Sequence, residues 1–388
     1  MKQKVLMVHN FYKIGGGEHT VFENEVEMLR KNGHEVYTYT RSNAELNTSK
    51  IKLLLLPFTT IWSVKTFREV KNIIRKENID VVHCHNTFPL ISPSVYYAAR
   101  SRKVPVVQTI HNFRFLCPNG VLYRDNRVCE ECINKKSFVN AVHNKCYRNS
   151  KIQTIVVVAM LKIHRWLRTY KKIAYIFLTD FNKKKFGNLI GNNNEKVFIK
   201  PNFVKSRPII EKREQQHKRN IFVYAGRLEE NKGIRFLLKE WGNLPSDFEL
   251  HIYGDGTLRE YVEQKACELN NVIYFGFKEQ QDILEDLANS QALLFPSRLY
   301  EGFPMILAES FSIGIPVVAT DIGNQKNIIE TSTGGVCFDD GNQYAFRMAL
   351  QEVINNNDYY AQNAIKYYQN VLSEEYNYRL LFNIYNHL

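Results

Sequence analysis

Several residues in this chain stand at spacings that local structure can turn to chemistry. The run Lys13-Ile14-Gly15-Gly16-Gly17-Glu18 separates a strand pattern from a helical one. Bare backbone N–H groups at the positive end of a helix suit phosphate or carboxylate. The spacing is not G-x-G-x-x-G, and a tight turn without a ligand needs the same glycines. A second strand pattern ends at Gln108-Thr109-Ile110-His111-Asn112, where an imidazole serves structure as readily as catalysis. A third, Ile221–Ala225, leads into Gly226-Arg227-Leu228 and then Lys232-Gly233. Arg227 can grip a phosphate through two parallel hydrogen bonds and Lys232 adds a point charge. After Ala292–Phe295 come Pro296-Ser297-Arg298-Leu299-Tyr300-Glu301-Gly302-Phe303-Pro304-Met305-Ile306-Leu307-Ala308-Glu309. Pro304 suits the first turn of a helix whose free N–H groups face a ligand. On one continuous helix Glu301 and Glu309 would stand about 80° apart, so they are not an acid and base sharing a face. We expect Glu301 in a loop beside a reacting group and Glu309 on the helix, reaching a larger group such as a ribose.

Four of the seven cysteines, Cys117, Cys129, Cys132 and Cys146, form C-x11-C-x2-C-x13-C. The Cys129-Glu130-Glu131-Cys132 knuckle and its flanking thiols offer four ligands for a structural zinc, although buried free thiols are also common. From Cys132 to Thr179 there is no acidic residue, while Lys135, Lys145, Arg148, Lys151, Lys162, Arg165, Arg168 and Lys171 all fall inside. Interleaved with Ile155–Leu161 and Trp166, these cations read either as a surface that rests on anionic lipid or as a solvated helix face.

Elements must position these residues. With 388 residues, 44% of them hydrophobic and 23% charged, the chain has material for two cores, which excludes a disordered, fibrous or disulfide-stapled protein. Apolar runs alternate with helical patterns, as in parallel sheets with crossover helices. Strands are expected at Lys4–Phe11, His34–Thr40, Asp80–His85 and Val104–His111. A second series follows at Ile221–Ala225, Glu249–Tyr253, Val272–Phe275, Ala292–Phe295 and Pro316–Thr320, beyond a polar linker, Lys205–Asn220. We therefore expect an α/β chain with domains at 1–204 and 219–360, an insertion at about 113–150, and a helical tail at 361–388 that packs across the domain boundary. Ligands of such sheets bind beyond the carboxyl ends of the strands, here in a cleft between the domains. The net charge of +13 is lopsided: residues 1–200 hold 34 basic and 14 acidic side chains, the remainder 18 and 25. The first half should seek an anionic partner. The longest apolar stretches, Leu53–Val64 and Ile152–Leu161, fall short of the roughly 20 residues that span a bilayer. The opening residues lack a secretory pattern, so a cytoplasmic location is expected.

Taken in order, Gly15-Gly16-Gly17-Glu18, His111, Gly226-Arg227-Leu228 with Lys232-Gly233, Tyr253-Gly254-Asp255-Gly256, Pro296-Ser297, Glu301 through Glu309 and Pro316-Val317-Val318-Ala319-Thr320 resemble the retaining GT-B glycosyltransferases of glycosyltransferase family 4. The resemblance covers nearly the whole chain. It implies two Rossmann-like doubly wound domains facing a central cleft, with a C-terminal helix crossing back to the first. It also implies transfer of a sugar from a nucleotide diphosphate donor, a UDP-sugar, with retention at the anomeric carbon. On this basis Arg227 and Lys232 hold the diphosphate and Glu309 the ribose, Glu301 contacts the sugar, and His111 lies near the reacting sugar. Gly16 and Gly17 crowd the phosphate and acceptor side, and the stretch Gly302, Phe303, Pro304, Met305 and Ile306 joins the donor site. After Gly323 the family usually shows a second glycine and then a glutamate, where this chain has Asn324 and Asn327.

The chain lacks an apolar-flanked Asp-x-Asp metal motif, so two cations and a helix terminus would neutralise the departing diphosphate and catalysis would need no cofactor. The acceptor hydroxyl would then attack on the face the diphosphate leaves, a phosphate oxygen taking its proton, with no carboxylate nucleophile. Glu301 as a stabiliser of cationic sugar character is the open alternative. The expected partners are the donor, a cell-surface glycan or lipid-linked acceptor, and anionic inner-leaflet lipid at the membrane periphery. Two further readings are a GT-B epimerase or hydrolase acting on the nucleotide sugar, and a basic nucleic-acid-binding protein, for which no base-reading module is recognisable.

Overall fold

The six inner residues of strand Lys4–Phe11 are all buried, as a parallel strand covered on both faces requires. In the computed structural model, which describes residues 2–13, 15–48, 50–191, 194–205 and 220–388, this strand sits within a six-stranded parallel sheet. The sheet runs Glu35–Ser42, Lys4–Phe11, Val81–Asn86, Val106–Ile110, Ala174–Phe177, Val197–Ile199. The expected linker Lys205–Asn220 lies outside the described residues apart from its two ends. Helix Gly17–Lys31 follows the first strand, and buries Val21, Phe22, Val26, Met28 and Leu29 together with one charged residue, Glu25. The apolar positions recur every three to four residues, which turns one stripe onto the sheet.

The chain divides into two compact units. Unit 1 comprises residues 1–122, 129–201 and 377–388; unit 2 comprises 123–128 and 202–376. Unit 2 has its own six-stranded parallel sheet, ordered Val272–Gly276, Phe248–Tyr253, Asn220–Ala225, Ala292–Phe295, Val317–Thr320, Gly335–Phe338. Its core gathers Phe222, Leu237, Trp241, Leu250, Ile252, Leu294, Val318 and Phe346. Strand order reverses between Lys4–Phe11 and Val81–Asn86 in unit 1 and between Asn220–Ala225 and Ala292–Phe295 in unit 2. At such a reversal neighbouring loops part and leave a crevice.

The units differ in detail from the expected domains. The hairpin Tyr123–Arg124 and Arg127–Val128, inside the expected first-domain insertion, belongs to unit 2, where Arg298, Asp340 and Glu230 bear on the Tyr123 hydroxyl. Residues 377–388, on helix Glu374–His387, belong to unit 1. There Tyr385 Oη lies 2.7 Å from His83 Nδ1, and Tyr378 Oη lies 3.2 Å from His34 Nε2. Strands Ala174–Phe177, Val197–Ile199 and Gly335–Phe338 were not expected. Among the described residues, no helix is long and apolar enough to cross a membrane.

Candidate active site

In unit 2 the candidate side chains Arg227, Lys232 and Glu301 follow the two strands between which the sheet order reverses. Strand Asn220–Ala225 delivers Arg227, and the short turn Glu230–Lys232 delivers Lys232. Gly233 then takes φ of 76°, and a Cβ on it would meet the Pro296 carbonyl oxygen at 2.0 Å. Only glycine permits that approach, which brings the Lys232 turn against the end of strand Ala292–Phe295. The Arg298 N–H donates to the Asn231 carbonyl at 3.0 Å and ties the two loops together.

The two cations converge on Glu301. Lys232 Nζ lies 2.5 Å from Glu301 Oε1, and the Ser297 hydroxyl donates to the same oxygen at 2.5 Å. Burial would raise the Glu301 pKa, but Lys232, then Ser297 and Arg227, bring it below the usual carboxylate range. Arg227 is exposed at the loop and acts on Glu301 through its charge. The Tyr224 hydroxyl donates to the Arg227 carbonyl at 2.9 Å and steadies that backbone.

Glu301 and Gly302 stand in a loop, Pro304 caps helix Met305–Ser312, and Glu309 lies inside that helix, nearly buried. Phe303 and Pro304 are buried, while Met305 and Ile306 are half-buried at the first turn. The Gln280 amide donates to Glu309 Oε1. Asn324, which stands where the family has its second glycine, is wholly buried. Its amide donates to the Glu301 carbonyl, and to the Gly302 carbonyl at 2.8 Å. Gln325 donates to the Ser297 carbonyl at 3.0 Å. The departure in sequence is thus a side-chain clamp on the Glu301 loop. Asn327 is half-buried one turn further along helix Gly323–Ser332. In the sequence Ser297 stood out only as part of Pro296-Ser297, and Gln280 and Gln325 carried no signal there, because only the fold brings Gln280 to Glu309 and Gln325 to the Ser297 carbonyl.

In unit 1, Gly16 caps helix Gly17–Lys31 in extended conformation, without a side-chain cap, and the space a Cβ would occupy there is open. The amides of Gly16 and Gly17 therefore stay accessible, as an anion requires. Glu18 in the first turn accepts from Asn86 Nδ2 at 3.1 Å and Asn112 Nδ2 at 3.4 Å. Burial pushes its carboxyl up to about 7, against the opposing pull of Arg114 and the two amides. His111 stands just past strand Val106–Ile110, its Nε2 2.9 Å from His85 Nδ1. Burial and then His85 hold the His111 imidazole well below the usual histidine range, with Glu25 pulling the other way.

Cys117 is buried, and Cys129, Cys132 and Cys146 are half-buried; none of the four is in a disulfide. Burial, then Cys117, Cys146 and Cys129, push the Cys132 thiol up to about 12, so the other three sulfurs lie within electrostatic reach of Cys132. Backbone groups of Asn119, Gly120 and Leu122 face the Cys117 sulfur and favour its charged form. The sets of three ligand atoms already close enough for one ion, among the described residues, are His9, Glu18, His19 and Glu25, His83, His85; neither holds a cysteine.

Residues 206–371 match the family model described as glycosyl transferases group 1, and residues 14–204 match glycosyltransferase family 4. An uncharacterized glycosyltransferase of Methanocaldococcus jannaschii is 25% identical over 365 residues, covering 86% of this chain and 84% of the relative. The lipopolysaccharide 1,6-galactosyltransferase of Escherichia coli is 30% identical over 141 residues, covering 34% of this chain and 39% of that enzyme. Among solved structures, the Anabaena protein HepE in complex with UDP-glucose aligns with a TM-score of 0.66 at 15% identity, over 100% of both chains. This last likeness is one of fold.

Proposed function

The chain belongs to the glycosyltransferases, its two halves matching group 1 and family 4, and from that premise we propose that it moves a sugar from a nucleotide diphosphate donor, with retention, onto a cell-surface glycan or lipid-linked precursor. The observation that carries this reading is the convergence of Lys232, Ser297 and Arg227 on Glu301, at the strand reversal of unit 2. A diphosphate placed there meets two cations and the capped start of helix Met305–Ser312. UDP is the nucleotide we assign, supported by the UDP-glucose complex of the HepE neighbour. A hexose agrees with the name of the galactosyltransferase relative. In this reaction the bond from the anomeric carbon to the β-phosphate oxygen breaks, its electron pair leaving on the diphosphate. The acceptor oxygen bonds on the same face, and its proton passes to a phosphate oxygen. Lys232 and Arg227 stabilise the charge that develops on the leaving group, Glu301 faces the sugar, and Glu309 is directed at the ribose. These steps pass through no metal ion.

Two further parts belong to the same reading. Zinc on Cys117, Cys129, Cys132 and Cys146 would be structural. Anionic lipid at the membrane periphery would meet unit 1, where Lys136, Arg165, Arg168, Lys171 and Lys185 line one cavity of about 240 Å³.

The test is turnover against a panel of nucleotide sugars, with and without glycan acceptors. The full chain should release a nucleoside diphosphate from one donor and form a glycosidic product, which an epimerase or hydrolase would not. Lys232→Ala and Arg227→Ala should each lower turnover by about 2–4 kcal/mol of transition-state stabilisation, the scale of losing one preorganised donor to developing charge. Near-normal turnover in both variants would remove the diphosphate from this site.

A further inference from the structure

The core of unit 1 contains an ion pair that the proposed transfer does not use. Lys200, directly after strand Val197–Ile199, is wholly buried, and its Nζ lies 2.7 Å from Oε1 of the wholly buried Glu25 on helix Gly17–Lys31. The other carboxylate oxygen lies 3.3 Å from His85 Nε2 and 3.7 Å from His83 Nδ1. Burial opposes the Glu25 charge, but Lys200, then His85 and His83, hold its carboxyl well below the usual range. Taking such a pair out of water costs several kcal/mol per ion, and replacing it with apolar residues is often neutral or stabilising. The pair is therefore a poor device for stability alone.

It leads instead to His111. His85 faces Glu25 with Nε2 and His111 with Nδ1, 2.9 Å from His111 Nε2. A nitrogen lone pair directed at a carboxylate is repelled, so His85 carries its proton on Nε2 and its Nδ1 becomes an acceptor. His111 Nε2–H then donates to it, which leaves His111 Nδ1 as that ring's acceptor. The other groups around these rings come from every neighbouring element. His9 of the first strand has its ring 6.4 Å from His85, and its imidazole is held down at about 2, by burial first and then by His85. His19 lies beside His9. His83 is held between Tyr385 Oη and Thr109 Oγ1, each 2.7 Å away. Lys200 already matches the charge of Glu25, so His85 need not. For the same reason we do not read Glu25, His83 and His85 as a metal site: the ammonium supplies the positive charge.

We propose that Lys200 and Glu25 are positioning residues that act through His85 to fix His111 as the Nε2–H tautomer, leaving its Nδ1 lone pair as an acceptor just past strand Val106–Ile110. The effect on transfer rests on the proposed function, whereas the tautomer does not.

The experiment uses the full chain labelled with 15N-histidine. The wild type should show His111 as the neutral Nε2–H tautomer between about pH 6 and 8. Lys200→Met leaves the Glu25 carboxylate without its counter-charge, which draws a proton onto His85. That ring then donates from Nδ1, the His111 tautomer reverses, and the acid limb of the transfer pH profile moves up by about one unit or more. Lys200→Met/Glu25→Gln removes both charges, so no extra proton is drawn onto His85 and the acid limb should return toward its wild-type position, while His111, no longer ordered by a carboxylate, should show both neutral tautomers. An Nδ1–H form of His111 in the wild type, or an unchanged tautomer and profile in Lys200→Met, overturns the proposal. Should Lys200→Met not fold, the other two chains decide: Nε2–H in the wild type with mixed tautomers in the double variant supports it, and Nδ1–H in the wild type, or Nε2–H alone in both, overturns it. The spectra need no substrate. The expected tautomers in a chain that turns over no nucleotide sugar would leave the positioning device standing and remove the transferase reading.

Discussion

At the scale of single residues, Glu18 makes a prediction whose sign follows from its surroundings. Its carboxyl titrates near 7 in the folded chain, for the burial already described, against about 4.3 in an unfolded one. The folded state therefore holds this proton more tightly. Glu18 costs no stability below the unfolded value, and costs progressively more as pH rises through 7. Glu18→Gln should gain in unfolding midpoint over the wild type from about pH 4.5 to 7 and then hold a constant lead. A lead that does not change with pH would show that the carboxyl is solvated. The cluster of Arg227, Lys232 and Glu301 in unit 2 was legible at this scale because these residues sit past strand ends, beside Gly233 and Pro304. Lys200 and Glu25 were not: one borders a polar stretch and the other lies among the acidic residues of Glu18-His19-Thr20-Val21-Phe22-Glu23-Asn24-Glu25. Only the sheet brings Lys200 to within 2.7 Å of Glu25.

At the scale of elements, strands such as Lys4–Phe11 and Phe248–Tyr253 were legible because long apolar runs between helical patterns leave little choice. Ala174–Phe177 and Val197–Ile199 are only four and three residues long, too short for periodicity to mark, and gain their hydrogen bonds from the growing sheet edge. The cysteine-bearing segment is the least regular part of unit 1. Its helices Glu131–Asn134 and Val139–His143 span four and five residues, short of the length that sustains a helix by itself. A metal cross-link would supply the missing order. Purified chain should contain about one zinc ion. Cys132→Ser should expose residues 129–146 to hydrogen exchange while strands Val81–Asn86 and Val106–Ile110 stay protected. Zinc-free protein, with the same exchange in wild type and variant, would leave the thiols as ordinary buried residues.

At the scale of the whole molecule, the excess positive charge of the first half has an apolar companion. Helices Lys50–Ile61 and Lys151–Trp166 pack together, yet leave Leu54, Phe58, Ile152 and Trp166 exposed by 77%, 73%, 73% and 81%. Val157, Val158, Met160 and Leu161 turn inward, so only part of the apolar sequence in this region faces water. Exposed aromatic and aliphatic groups beside cations match an anionic bilayer, where each nearby Lys or Arg contributes about 1 kcal/mol. Sedimentation with vesicles should increase with anionic lipid content and fall in Phe58→Glu/Trp166→Glu. Binding indifferent to lipid charge would dissociate the patch from membranes. A different consequence comes from the discontinuity of unit 1, which closes only with residues 377–388. A ribosome that has finished Pro201 must still deliver the intervening stretch before Tyr385 can reach His83. At roughly 5–20 residues per second, that wait lasts about 10–40 s. The nascent first sheet spends this time without the contacts of residues 377–388, and a chain that stops before Asn377 never gains them.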